Sequence, residues 1–122
     1  MNWKESFSEW KEITLITCSL NWEPHGIICI SLWFIEDKIV IADCQMKKSI
    51  TNLLSNPKIV LISDYIRIEW SVKVYNSWKY LDYCILKNAW TWFHPKNAII
   101  IHIKKVFDLD KGVVIINDLW EK

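Results

Sequence analysis

The sequence predicts a mostly β protein, a small closed or nearly closed antiparallel barrel of about six strands with short helices plugging its ends. Three observations predict it. Apolar, β-branched runs of strand length recur along most of the chain. Ile66, Ile68, Trp70, Val72 and Val74 alternate with Arg67, Glu69, Ser71 and Lys73 at strict period two, so one face is core and the other wet. Helical spacing is confined to three short segments, and the regular alternation and glycine patterns of Rossmann and Walker folds are absent.

In chain order, Trp3 to Lys11 sets Trp3, Phe7 and Trp10 at helical spacing among charged residues, which predicts a short amphipathic helix lying across the sheet. Ile13 to Leu20 and Gly26 to Phe34 are two apolar runs separated by a turn at Asn21 to Pro24, a hairpin. Glu36-Asp37-Lys38 turns the chain into a third strand, Ile39 to Ala42. Lys47 to Ser55 places Ile50, Leu53 and Leu54 on one face of a helix that Asn56-Pro57 stops. Lys58 to Ser63 and Ile66 to Tyr75 are the next strands. Trp78 to Asn88 gives Tyr80, Leu81, Cys84 and Ile85 a helical rhythm, and Asn97 to Val106 is the longest late strand. A turn at Asp110-Lys111-Gly112 leads to an apolar tail, Val113 to Ile116.

The 122 residues fit one domain, 1–122, without repeat or linker. Fifteen Lys plus Arg against fourteen Asp plus Glu leave no charge bias toward nucleic acid or an acidic membrane. No apolar run is long enough to span a bilayer as a helix. Cys18, Cys29, Cys44 and Cys84 are far apart and form no CxxC pair, which favours reduced core thiols. With no signal-peptide core in Met1 to Lys11, a cytoplasmic, reducing location is expected. His25, His94 and His102 have no metal-ligand spacing, so no metal is expected. Trp90, Trp92 and Phe93 cluster with little positive charge nearby, which reads as core packing or a subunit interface.

The balance of Trp and Gly is unusual. The chain has nine Trp and two Gly, where ordinary usage of about 7% would give roughly eight or nine glycines. Trp22 follows Asn21, Trp78 follows Ser77, and Trp33 precedes Phe34-Ile35-Glu36-Asp37; at such strand boundaries Asn-Gly or Ser-Gly is the usual dipeptide. Two readings follow: bulky residues are tolerated in exposed turns, or some of these positions are glycine in the natural protein.

The most specific local feature is the strand end that runs through Asp43 and Cys44 into Lys47-Lys48-Ser49-Ile50-Thr51-Asn52. A helix whose first turn offers two ammonium groups, a hydroxyl and free backbone N–H donors suits a phosphate. Lysines at a helix N-terminus are otherwise mildly unfavourable. The competing reading is two solvated lysines and a serine cap.

The same stretch, Lys48-Ser49-Ile50-Thr51-Asn52-Leu53-Leu54-Ser55-Asn56-Pro57, resembles the small FMN-binding split-barrel proteins related to pyridoxamine 5'-phosphate oxidase. Glu23-Pro24-His25-Gly26, Glu36 to Asp43 and Arg67 to Tyr75 extend the resemblance over residues 5–110. It implies a six-stranded antiparallel Greek-key split barrel with short flanking helices. It also implies a homodimer with FMN at the subunit interface and oxidoreductase or electron-transfer activity on a small molecule or redox partner. Lys48 and Ser49 then hold the FMN phosphate, with Lys47 and Asn52 close by. Ile27, Ile28, Cys29, Ile30 and Ser31 of the second strand, and Ile41 to Asp43, lie along the isoalloxazine. A non-enzymatic split-barrel dimer, binding flavin or haem or no cofactor, is the alternative. The resemblance is imperfect: Trp22, Trp70 and Trp78 stand where such proteins commonly have Gly, and Lys47 where they often have Arg, His or Gly. The extra C-terminal strand and arginines of pyridoxamine phosphate oxidases have no counterpart, so that specific activity is not expected.

Overall fold

The computed structural model describes residues 3–117. A 3₁₀ turn at Trp3–Phe7 precedes β1 (Glu12–Cys18), β2 (Pro24–Ile35), β3 (Lys38–Asp43), α1 (Lys48–Ser55), β4 (Lys58–Ser63), β5 (Ile66–Tyr75), α2 (Trp78–Lys87), β6 (Asn97–Asp108) and β7 (Val113–Asn117). Neighbours run in the order β3-β2-β1-β4-β5-β6-β7, all antiparallel. Pairing of β3 with the first half of β6 closes the first six strands into a Greek-key barrel, and β7 adds to the second half of β6 as a flap.

Period-two patterning sets the barrel interior. Ile13 and Leu15 of β1, Ile39 and Ile41 of β3, Ile66 and Ile68 of β5, and Ile99, Ile101 and Ile103 of β6 are buried with Leu61 and Phe7 in one cluster. The residues between them on β3 and β6, Val40, Ala98 and Ile100, are buried too, because α2 lays Tyr80 and Cys84 over that outer face. Cover on both faces explains why Ile39 to Ala42 and Ala98 to Ile101 read as unbroken apolar runs.

Two hairpins have two-residue loops, Glu36-Asp37 and Asp64-Tyr65, with positive φ at all four residues, the type I′ geometry that matches strand twist. Four further non-glycine residues have positive φ, and all are tryptophan: Trp10 (67°), Trp22 (63°), Trp33 (83°) and Trp78 (78°). Such a backbone costs an L-residue on the order of 1–2 kcal/mol.

Several expectations need correction. The opening segment forms a 3₁₀ turn that ends at Phe7, not a helix to Lys11; positive φ at Trp10 swings the chain to β2, where Trp10 N–H donates to the Ser31 carbonyl at 2.7 Å. Leu54 is exposed, because the buried stripe of α1 runs through Ser49, Asn52 and Leu53. Trp70 stands outside the core cluster, half-buried, with the Lys58 and Lys104 ammonium groups each 4.1 Å from its ring. The pairing register between β5 and β6 shifts at this point, opposite Lys104. Trp90, Trp92 and Phe93 are exposed rather than packed in the core.

Candidate functional site

Asp43, the last residue of β3, sets the position of α1. Its Oδ1 accepts the Met46 N–H at 2.9 Å, its Oδ2 accepts Asn97 Nδ2 at 2.7 Å, and its carbonyl accepts the Lys96 N–H at 2.8 Å. A carboxylate bonded back to the backbone three residues on makes a tight turn, so β3 delivers the chain directly into α1. At the far side of α1, Asn52 donates to Thr17 Oγ1 at 3.0 Å, which fixes the helix to β1. Both Asp43 and Asn52 are almost fully buried and hydrogen-bonded to distant strands.

The first turn of α1 is the opposite. Lys47 at its N-cap makes no side-chain cap bond, and the first turn carries no acidic residue. Lys47 and Lys48 are exposed. Ser49 is 1% exposed, yet its Oγ has no hydrogen-bond partner among the described residues. Leaving a hydroxyl buried and unbonded costs about 1–3 kcal/mol, and the first helical N–H groups have no intrahelical acceptor. Donors and positive charge converge here, and among the described residues the nearest carboxylate in sequence, Asp43, is engaged by Met46 and Asn97 instead.

These groups open onto a cavity of about 730 Å³, within the size range of small-molecule sites. Its wall combines Ile27, Ile28, Cys29 and Ile30 of β2 with Ala42 of β3, and continues through Cys44 to Ser49. His25 stands at the β2 end, and Trp10, Asn88, Trp90, Thr91 and Phe93 form the remaining side. Burial pushes the Cys29 thiol up to about 12, so it is a neutral, inert part of the wall. Cys44 is raised as well, by burial first and the Asp43 carboxylate second.

Of the twelve residues singled out in the sequence, eight line this cavity: Ile27, Ile28, Cys29, Ile30, Ala42, Lys47, Lys48 and Ser49. Ser31, Ile41, Asp43 and Asn52 do not: Ile41 is buried in the barrel core. Ser31 is fully buried, donates to the Phe7 carbonyl at 2.7 Å and accepts the Trp33 N–H at 3.2 Å; Asp43 and Asn52 hold α1 from behind. The aromatic side of the cavity was not found from sequence. Trp10 and Trp90 meet edge to face with ring centroids 5.2 Å apart although eighty positions separate them, and no local pattern announces such a pair. Among the described residues no group of three His, Cys, Asp or Glu could hold a metal ion, and no helix is long and apolar enough to cross a membrane.

No family model and no curated protein matches the chain. Solved structures do. HupZ of group A Streptococcus is 14% identical with a TM-score of 0.80, over 91% of this chain and 94% of that one. An FMN-binding protein from Syntrophomonas wolfei is 20% identical with a TM-score of 0.69, over 84% and 78%. A pyridoxamine 5'-phosphate oxidase-related, FMN-binding protein from Nostoc punctiforme is 10% identical with a TM-score of 0.58, over 78% and 71%. The chain therefore has the fold of FMN-binding split-barrel proteins.

Proposed function

We propose that this protein binds FMN in the cavity between β2 and α1 and serves as an oxidoreductase or electron-transfer protein for a small molecule or redox partner. The observation that carries the reading is the buried, unbonded Ser49 hydroxyl at an uncapped helix terminus beside Lys47 and Lys48. A phosphate oxygen would satisfy that hydroxyl, accept from the free N–H groups of the first turn and neutralise the lysines. The isoleucines of β2 offer an apolar wall for a planar ring.

When bound, FMN supplies reversible one- and two-electron redox chemistry. The chain's part is to anchor and to shield. Lys48 and Ser49 hold the phosphate end, Asp43 keeps α1 in register with β3, and Ile27 to Ile30 exclude water from one side. The neutral Cys29 thiol adds no charge there and no base. Ile28, Trp90 and Phe93 stay exposed at the cavity mouth, which favours a second copy of the chain covering it in a homodimer.

The test is a titration with FMN and with riboflavin, which lacks the phosphate. Preference for FMN is expected. Lys48→Ala should weaken FMN by roughly 10- to 100-fold, the worth of a charge-assisted bond, with little change in stability. Equal affinity for the two ligands removes the phosphate site. His25 on the cavity wall supports one rival, a haem-binding barrel. A Soret band in place of flavin absorbance distinguishes it.

A further inference from the structure

We infer that positions 10, 22, 33 and 78 are glycine in the protein as its own cell makes it. Of nine tryptophans, eight fall among the described residues, Trp120 lying outside them, and four of the eight have positive φ. Positive φ is found in only a few per cent of non-glycine residues, and a bulky side chain there is an outlier. Half of one residue type in that region is not a sampling accident.

Two of the positions also have a recognised glycine role, and the other two are sharp changes of chain direction. Leu20-Asn21-Trp22 is a three-residue hairpin loop: Trp22 N–H donates to the Ser19 carbonyl at 3.1 Å and Ser19 N–H to the Glu23 carbonyl at 3.0 Å. The third residue of such a loop is left-handed and is normally glycine. Trp33 lies where the register of β2 against β3 shifts between Ser31 and Phe34, a bulge whose left-handed residue is again usually glycine. Trp78 opens α2 directly after the extended Ser77, and Trp10 turns the chain between the 3₁₀ turn and β1.

The Trp22 indole gives little back, being 80% exposed; Trp10, Trp33 and Trp78 make ring contacts with Trp90, Phe34, and Tyr75 and Tyr80, which a non-aromatic residue at the same place forgoes. Trp90 and Trp92 are also exposed but have no positive φ, so the inference stops at four positions. Of the two glycines present, Gly112 has the same left-handed φ, 68°. A UGA codon differs by one base from UGG for tryptophan and by one from GGA for glycine, and its reading as glycine would account for all four sites together.

One of the four changes the candidate site. Trp10 lines the cavity and packs on Trp90; glycine there widens the cavity beside β2. That consequence, unlike the glycine assignment, rests on the flavin reading.

The decisive experiment is peptide mass spectrometry of the protein isolated from its native cell. Glycine is expected at 10, 22, 33 and 78, and tryptophan at any of them overturns the inference. A second experiment needs only recombinant chain: the quadruple variant with W10G, W22G, W33G and W78G against the same four positions changed to Ala. Both remove the exposed indoles, but only glycine relieves positive φ. The glycine variant should melt at least about 10 °C above the alanine variant; equal melting overturns the assignment. FMN titration of the glycine variant is read separately, so absence of binding there counts against the flavin site and leaves the mass and melting results to decide the glycine positions.

Discussion

Ser31 in β2 and Ser49 at the start of α1 are equally buried serines with opposite surroundings. Ser31 sits at the β2 bulge, where its hydroxyl donates to Phe7 and accepts from Trp33, tying the N-terminal turn to the barrel. Ser49 has the same chemistry and no partner among the described residues. A stable fold satisfies its buried polar groups, and an exception needs a reason. At Ser31 the protein completes the hydrogen bonds itself; at Ser49 the phosphate of the proposed ligand would complete them.

The largest effect that separates the two is on stability. Ser31→Ala strands a buried carbonyl and a backbone N–H and should lose about 1–3 kcal/mol, whereas Ser49→Ala removes an already unsatisfied hydroxyl and should change little or stabilise. Urea unfolding of the two variants without ligand measures this, and equal losses would break the contrast. Next comes binding. Ser49→Ala should weaken FMN by roughly 2- to 10-fold and leave riboflavin unchanged, while Ser31→Ala should leave the ratio of the two affinities where it was.

Thiol labelling at pH 8, read by peptide mapping, sharpens the picture on both sides of the cavity. Burial pushes Cys29 and Cys84 up to about 12, so both should stay unlabelled in the folded protein while the half-buried Cys18 reacts. Added FMN should slow labelling of Cys44, on the α1 side of the cavity. The smallest effect is a control away from both serines. Burial, then the nearby Lys38 and Lys73, hold the His102 imidazole below its ordinary value. The folded state then binds fewer protons than the unfolded chain, so this contribution to stability is present above about pH 6.5 and is lost as the pH falls through the lowered value. His102→Gln should flatten that acid limb of the stability profile without altering flavin affinity.

Local patterns made the barrel legible. Lys58 to Ser63 and Ile66 to Tyr75 have the bounds that periodicity gives them, and the lysines and serine before Ile50 mark the proposed anion site without any tertiary information. Where local spacing was followed too far, it misled. Leu54 satisfies a helical stripe that the barrel does not cover, and Trp70 satisfies a strand alternation at a point where the register against β6 shifts by one residue.

By itself the sequence determined which segments form strands, where the two longer helices begin and which first turn collects positive charge, because these depend on neighbours two to four residues away. Only the tertiary structure decided which polar groups find partners. Asp43 and Asn52 look like ligand residues until Asn97 and Thr17 arrive from distant strands to occupy them, and Ser49 looks like a helix cap until nothing arrives. The Trp10–Trp90 wall, likewise, exists only because barrel closure brings together residues that no local rule relates.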